Sequence, residues 1–309
     1  MSVAVSAGYP QYDSSGTSQF IPELWSGKIL VKFYAATCLS EVTNNDWEGE
    51  VKAMGDTVHI RTCPDITIND YTKGQNLTNE VPESAPIELK VDKAKYFSVI
   101  VDDIDKAQAD VKLMDMFSGD AAQKMKITIE KSVFGAVYAD VVAANKGATA
   151  GVDSGSINLG TEAAAVVVTK DNAVDVLLDT GLVLDEQNVP DVGRWALIPP
   201  WFARLLKSSD LKNAYLTGDA TSPLRNGKIG EINNTHLYVS NNLTKVGTGA
   251  AAVWHCLAGT NDAITFASQL TNVESLRSTT TFGNIMRGLN VYGFKTVKGE
   301  ALVDLVVKR

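Results

Sequence analysis

Phe117 to Asn145 reads FSGDAAQKMKITIEKSVFGAVYADVVAAN, and the rest of the chain is organised around it. The stretch contains no proline and two glycines, Gly119 and Gly135. Met125, Ile129, Val133, Val137 and Val141 recur every fourth position, with Ala122 and Ala136 beside them. That spacing marks one face of an α-helix. Lys126 and Glu130 stand four apart, suited to an ion pair on the solvent side, and Ser118 with Asp120 and Ala121 suits a helix start. Asn145, Lys146 and Gly147 stop the pattern, Gly147 being suited to a left-handed cap. At about 1.5 Å per residue the helix would run on the order of 40 Å, well beyond the usual three or four turns. One long helix among strand signals predicts a spine on which other elements hang.

Around it lie 309 residues, enough for one large domain or two and for a sizeable core. Apolar residues make up 45% and charged ones 21%, the composition of an ordinary folded protein. Lys and Arg number 28 against 36 Asp and Glu, a net charge of −8, with no basic stripe of the kind that grips nucleic acid. Cys38, Cys63 and Cys256 are scattered and odd in number, which points to reduced thiols rather than a disulfide framework. No basic n-region opens the chain and no apolar run is long enough to cross a bilayer, so a chain made in the cytoplasm without a membrane partner is expected.

Residues 1–19 are small and polar, the composition of a flexible or partner-ordered arm. FIPELWSGKILVKFY, Phe20 to Tyr34, places Leu24, Trp25, Ile29 and Phe33 on one helical side behind Pro22. It reads either as a short core helix or as an arm helix lying on a neighbouring subunit. Next come two β arms. Val58 and Ile60 alternate with polar residues, Ile66 and Ile68 continue that period, and Ile87, Leu89 and Val91 form the return. The polar tip between them, Thr72 to Pro86, makes this a protruding hairpin, which is marginal alone and needs something to lie on. Asp102, Asp103 and Asp105 read as an acidic patch at a helix start.

Beyond the spine, Ala148 to Gly160 is the best candidate for a subdomain boundary. A helix follows with Val174, Leu177, Leu178 and Leu182 as its apolar stripe, then a buried strand Trp195–Ile198 and a helix opened by Pro200. Asn226-Gly227 predicts a hairpin turn between strands Lys228–Ile232 and His236–Ser240. Ala263 to Leu276 is mixed. At the tail, Val291, Phe294 and Val297 mark one strand and Ala301–Val307 a second, a pair expected to return to the spine helix.

Chemistry is hard to find in this text. His59, His236 and His255 show no paired metal-ligand spacing, although His59 shares a strand period with Cys63 and His255 adjoins Cys256. There is no GxSxG elbow, phosphate loop or GxGxxG, so no catalytic, cofactor-binding or metal residue is assigned. A soluble hydrolase with an unrecognised site would need one deep cleft with convergent polar groups.

The order of parts is more informative. FIPELWSGKILVKFY, GDTVHIR, DYTKGQNL, DKAKYFSVIVDDIDKAQAD, RWALIPP, LRNGKIGEI and RGLNVYGFKTVKGEALV resemble, in sequence order, stretches of the major capsid (coat) proteins of tailed bacteriophages. The resemblance runs from about Phe20 to the end. It implies an α+β chain with the Hong Kong ninety-seven capsid fold. That fold would divide into an N-terminal arm (1–46), an extended loop with its approach strands (47–101), a peripheral domain with the spine helix (102–150), an axial domain (151–282) and peripheral return strands (283–309). It also implies a homo-oligomer of pentamers and hexamers closing an icosahedral shell around double-stranded DNA bound without sequence specificity, in the virion after assembly in the host cytoplasm. A separate scaffolding protein is expected because no long N-terminal scaffolding region is present, with a portal and a decoration protein as further partners. Phe20, Trp25, Tyr71, Lys73, Asn76 and Glu80 are the inter-subunit contacts so implied. Some members cross-link Lys to Asn between subunits, which makes Lys73 the candidate donor, although no matching acceptor stands out. An encapsulin-type compartment is the same fold with another cargo.

Overall fold

The structure, a computed structural model, describes residues 34–47, 57–64, 66–84, 86–103, 113–209 and 230–309. In chain order it contains α1 (Leu39–Val42), β1 (Thr57–Ile60), β2 (Ile87–Lys90), β3 (Lys93–Asp102), α2 (Leu113–Val137), β4 (Val166–Val167), α3 (Ala173–Glu186), β5 (Arg194–Ile198) and α4 (Pro200–Ser208). There follow β6 (Glu231–Ile232), β7 (Thr235–Val239), β8 (Lys245–Val246), β9 (Val253–Thr260), β10 (Ile264–Arg277), β11 (Gly283–Thr296) and β12 (Leu302–Lys308).

The spine is α2, whose 25 residues run about 37 Å. Ile129, Val133, Val137 and Val141 are buried and Met125 packs against the same core, as the fourfold period requires, with Phe134 joining them; Ala122 is exposed. The α-helix is shifted from its predicted bounds. It is already formed at Leu113, upstream of Ser118, and it stops at Val137. Two 3-10 turns follow, Tyr138–Asp140 and Ala143–Asn145, separated by the extended Val141 and Val142. Two adjacent β-branched residues favour that break. The turn brings Asn145 onto the sheet, where its Nδ2 donates to Glu300 O (2.6 Å) and Leu302 O (3.0 Å) and its Oδ1 accepts from Gln187 Nε2 (2.8 Å). Gly147 takes the left-handed φ of +90° that its cap position asks for.

Lys126–Glu130 is not a surface pair. Glu130 is fully buried. Its Oε2 accepts from the N–H groups of Cys38 (2.8 Å) and Leu39 (3.2 Å), and its Oε1 from Asn242 Nδ2 (2.9 Å) and Ser240 Oγ (3.3 Å). One carboxylate therefore ties the segment before α1, the spine and the turn after β7 together. A buried charge is tolerated when it is saturated with donors in this way.

Two larger sheets meet at the spine. Strands β10, β11 and β3 form an antiparallel sheet whose paired strands β10 and β11 are 14 residues each. The other sheet runs β4-β12-β9-β5-β7-β6, with β8 beside β9. The mixed stretch from Ala263 is thus one long strand, and the two C-terminal strands part into different sheets instead of pairing. β5 is buried along its whole length, and Pro199-Pro200 ends it and opens α4, whose Phe202 and Leu206 are buried. On α3 the core face is Ala173, Val176, Leu177, Thr180, Val183 and Leu184; Leu178 and Leu182, expected inside, lie outside. The β6–β7 turn is Asn233-Asn234, with φ of 50° and 56°, a conformation that asparagine tolerates; Asn226-Gly227 lies outside the described residues. The Gly- and Ser-rich segment 148–160 is stitched down by an Ala150–Ile157 bridge, by a buried Leu159 whose carbonyl accepts from Val306 N–H, and by Glu186 accepting from the N–H groups of Asp153 and Ser154.

His255 on β9 and Asp304 on β12 are buried together. Nδ1 lies 2.9 Å from an Asp304 oxygen, Nε2 is 3.5 Å from Glu162, and the ring lies tilted at 35° against Tyr138, with centroids 4.2 Å apart. Burial pushes the Asp304 carboxyl above its ordinary value, against the lowering pull of His255 and Lys146. A raised folded-state value contributes stability below the ordinary carboxylate range and loses it as pH rises through the raised value. Asp304→Asn keeps the shape and removes that loss. The variant is expected to gain on the parent between acid and neutral pH, read from denaturation midpoints of both proteins.

Candidate interaction surface

The stretch between β1 and β2 contains the residues that the sequence marks for contact. β1 and β2 pair in register from Thr57–Lys90 to Ile60–Ile87, and beyond Ile60 the ladder ends. Ile66 and Ile68, expected to continue the strand, are in neither a strand nor the core; Ile68 is 90% exposed. The alternating pattern is there, but among the described residues no strand lies beside it to complete a ladder. Two side-chain ties hold the limbs together instead: Glu80 accepts from Thr67 N–H (3.1 Å), and Ser84 Oγ donates to Thr62 O. At the tip Gln75 N–H donates to Thr72 O, and Gly74 at φ +90° closes the turn, its N–H 3.5 Å from the Tyr71 hydroxyl. Tyr71, Lys73, Asn76 and Glu80 are thus gathered on one projecting loop, and all four are exposed. Phe20 and Trp25 lie outside the described residues.

At its base the loop is anchored on a small separate core of Val58, Ile60, Leu89, Val91 and Ala267, with Trp47 and Val291 packed on it. Gly293 in β11 makes the approach possible: a Cβ there would sit 2.1 Å from the carbonyl oxygen of Lys90.

A second surface was not found by sequence reasoning. The three-stranded sheet turns Lys95, Phe97 and Val99 towards α2, around a cavity shared with Phe117, Ala121 and Met125. By the two-residue period Tyr96, Ser98 and Ile100 face the other way. Across the sheet Tyr96 is level with Leu289 and Asn272, Ser98 with Arg287 and Glu274, and Ile100 with Ile285 and Leu276. Tyr96, Ile100, Leu276 and Leu289 are all exposed, and Arg287 pairs with Glu274 in their midst. Phe282, at the turn into β11, is 81% exposed. The available signal is Tyr96 and Ile100 at even spacing within DKAKYFSVIVDDIDKAQAD.

Elsewhere the described residues offer little chemistry. They contain no group of three or more His, Cys, Asp or Glu side chains placed to hold a metal ion. A cavity of about 380 Å³ beside Glu130 and one of about 310 Å³ beside Gln187 and Lys298 are separate. His59 faces Glu88 at 3.8 Å, not Cys63. Asp103 pairs with Arg277 (3.1 Å); Asp105 lies outside the described residues. No described helix is long and apolar enough to cross a membrane. Cys38 and Cys256 are buried and Cys63 is exposed. Burial first, and then the Glu130 carboxylate, push the Cys38 thiol up to about 12, and burial raises Cys256 well above its usual value. A maleimide at about pH 8 is therefore expected to label Cys63 and spare the other two until the chain unfolds, read by mass spectrometry of the digested protein.

The comparisons agree with one another. The family model described as "Phage capsid protein" matches residues 84–305. A chain solved from Mycobacterium phage Che8 is 28% identical, with a TM-score of 0.77 over 92% of this chain and 96% of that one. The capsid structure of cyanophage P-SCSP1u (15% identity, TM-score 0.71, 95% of each chain) and the mature capsid of bacteriophage PhiM1 (15%, 0.68, 98% of this chain and 97% of that one) share the fold. No curated protein sequence matches. The resemblance drawn from the order of motifs holds, as does the mixed helix-and-sheet fold class: the chain has the Hong Kong ninety-seven fold and belongs to the phage capsid protein family, a structural family and not an enzyme family.

Proposed function

We propose that many copies of this major capsid protein form pentamers and hexamers that close an icosahedral head shell around the phage genome. The observation that carries the reading is the family match over residues 84–305, joined to a loop whose described residues from Ile66 to Ser84 are all exposed. A subunit with so much projecting, unpacked chain gains its remaining stability from neighbours. The arm (1–46), loop (47–101), peripheral (102–150), axial (151–282) and return (283–309) division is kept with two adjustments that sheet membership favours: β10 goes with the peripheral part and β12 with the axial part. The loop residues Tyr71, Lys73, Asn76 and Glu80, with Phe20 and Trp25 of the arm, are assigned to contacts between subunits. The net charge of −8 suits a container that must not hold its double-stranded DNA by sequence or by a strong electrostatic grip. A separate scaffolding protein and a portal are the further partners, with room for a decoration protein on the shell, and assembly takes place in the host cytoplasm.

Co-expression with the phage's scaffolding protein tests this. Closed shells or rings in negative-stain electron microscopy are expected; a uniform population of monomers would overturn it.

A further inference from the structure

The cluster around His255 holds a polar atom that the fold leaves unsatisfied. The His255 side chain is 3% exposed, and among the described residues no hydrogen bond reaches its Nε2. On the opposite side of the ring both Asp304 oxygens lie near Nδ1, at 2.9 and 3.1 Å. A ring nitrogen shared between two carboxyl oxygens is the one that carries the proton, so in the neutral imidazole Nε2 is a bare lone pair. A buried acceptor of that kind ordinarily finds a donor. Here Glu162 Oε1, a second acceptor, lies 3.5 Å from it on a side chain that is 54% exposed. Two acceptors at that separation repel. A proton on Nε2 turns the same geometry into attraction, because an imidazolium donates to Asp304 from one nitrogen and to Glu162 from the other.

Glu162 stands at the tip of a closed turn. Thr161 N–H donates to Ala164 O and Ala164 N–H to Thr161 O. Both limbs of the turn rest on β12: Val306 N–H donates to Leu159 O on the way in, and Val168 N–H donates to Lys308 O on the way out. Gly160 sits so close to β12 that a Cβ there would lie 2.4 Å from the Val306 carbonyl oxygen. The strand that follows, β4, pairs with β12 through Val166 and Val167 alone, so this sheet edge has little ladder of its own. The ring of His255 also meets Tyr138, in the turn that ends the spine. One imidazole therefore touches the sheet, its β4 edge and the end of the spine.

We propose that His255 is a proton-operated latch: with Nε2 protonated it draws Glu162 and the Thr161–Ala164 turn onto the sheet, and with Nε2 bare it lets them go. The other titratable groups nearby have different contacts. Lys146, beyond the spine, pulls on Asp304, whose carboxyl burial has raised. Burial likewise raises the neighbouring Cys256 thiol. Lys245 on β8 lies over the Trp254 ring, 5.2 Å from its centroid.

The test uses the full-length chain with the exposed His59 and His236 replaced by Gln, which leaves His255 as the one imidazole. Nitrogen-15 spectra of the ring then read the protonation of Nε2 directly, and hydrogen exchange at the Val168 and Val306 amides reads the hold on the turn. Protection at these amides, corrected for the intrinsic pH dependence of exchange, is expected to fall about tenfold as Nε2 loses its proton. Glu162→Gln should abolish that response: its NH2 donates to the bare nitrogen and its carbonyl accepts from the protonated one, so the turn is held in both states. Protection that stays constant through the Nε2 transition would overturn the proposal. So would an Nε2 that keeps one protonation state wherever the chain is folded. A fall of the same size in Glu162→Gln would also overturn it, since the response would then belong to Asp304 or another group. The measurements are made on free subunits and do not depend on whether copies assemble.

Discussion

Glu130→Ala is expected to cost the subunit roughly 3–5 kcal/mol and to lower its denaturation midpoint more than any surface change. The size follows from what is left behind. Four donors, the N–H groups of Cys38 and Leu39, Asn242 Nδ2 and Ser240 Oγ, converge on one buried carboxylate. No cation pairs with Glu130 among the described residues, so the charge is held by these dipoles and by the Cys38 thiol, 3.8 Å from Oε1. Without it the donors remain buried and each costs on the order of 1–3 kcal/mol, less what relaxation and water recover. Glu130→Gln keeps one acceptor oxygen but turns an NH2 towards donors, and an intermediate loss is expected. Thiol chemistry gives a second readout. The same carboxylate helps hold the Cys38 thiol up, so Glu130→Ala exposes and acidifies Cys38 together, and its maleimide labelling should accelerate.

Gly293→Ala is expected to destabilise the subunit by about 1–3 kcal/mol and to impair shell formation by more than that loss explains. The added methyl would meet the Lys90 carbonyl oxygen at 2.1 Å and lie 2.9 Å from Val91 Cα. Both are backbone atoms, so the strain is not relieved by a side-chain rotation. The base of the loop has to lift from β11, and its small core of Val58, Ile60, Leu89 and Val91 loosens. A loop re-aimed at its base misses its target at the tip. The denaturation midpoint and the yield of shells, measured on the same preparation, separate the two effects. Gly74→Ala, at φ +90° but with open space around it, serves as the control at the tip, straining the turn without moving the base.

Legibility in the sequence followed burial. Ile129, Val133, Val137 and Val141 face a core, and their period announced the spine. Trp195–Ile198 with Pro199-Pro200 announced β5 and α4 in the same way. Glu130 was misread because spacing shows which residues share a helix face but not what packs on that face; its partners come from 92 and 112 residues away in sequence. Leu178 and Leu182 suited an apolar stripe as well as Val176 and Val183 do, and only the position of β12 behind α3 chose between them. The long strands β10 and β11 were hidden because one face of their sheet is uncovered, so apolar residues occur on both sides and the alternation blurs. The loop was legible as a projection but not as a structure: Ile66 and Ile68 have the pattern of a strand, and no strand among the described residues pairs with them.

The central claim is that this subunit is completed by its neighbours, and a cryo-electron microscopy reconstruction of assembled shells tests it most directly. Density for residues 61–86 lying across an adjacent copy is predicted. Density in which that loop packs back onto the body it came from, with no contact to the next copy, would contradict it.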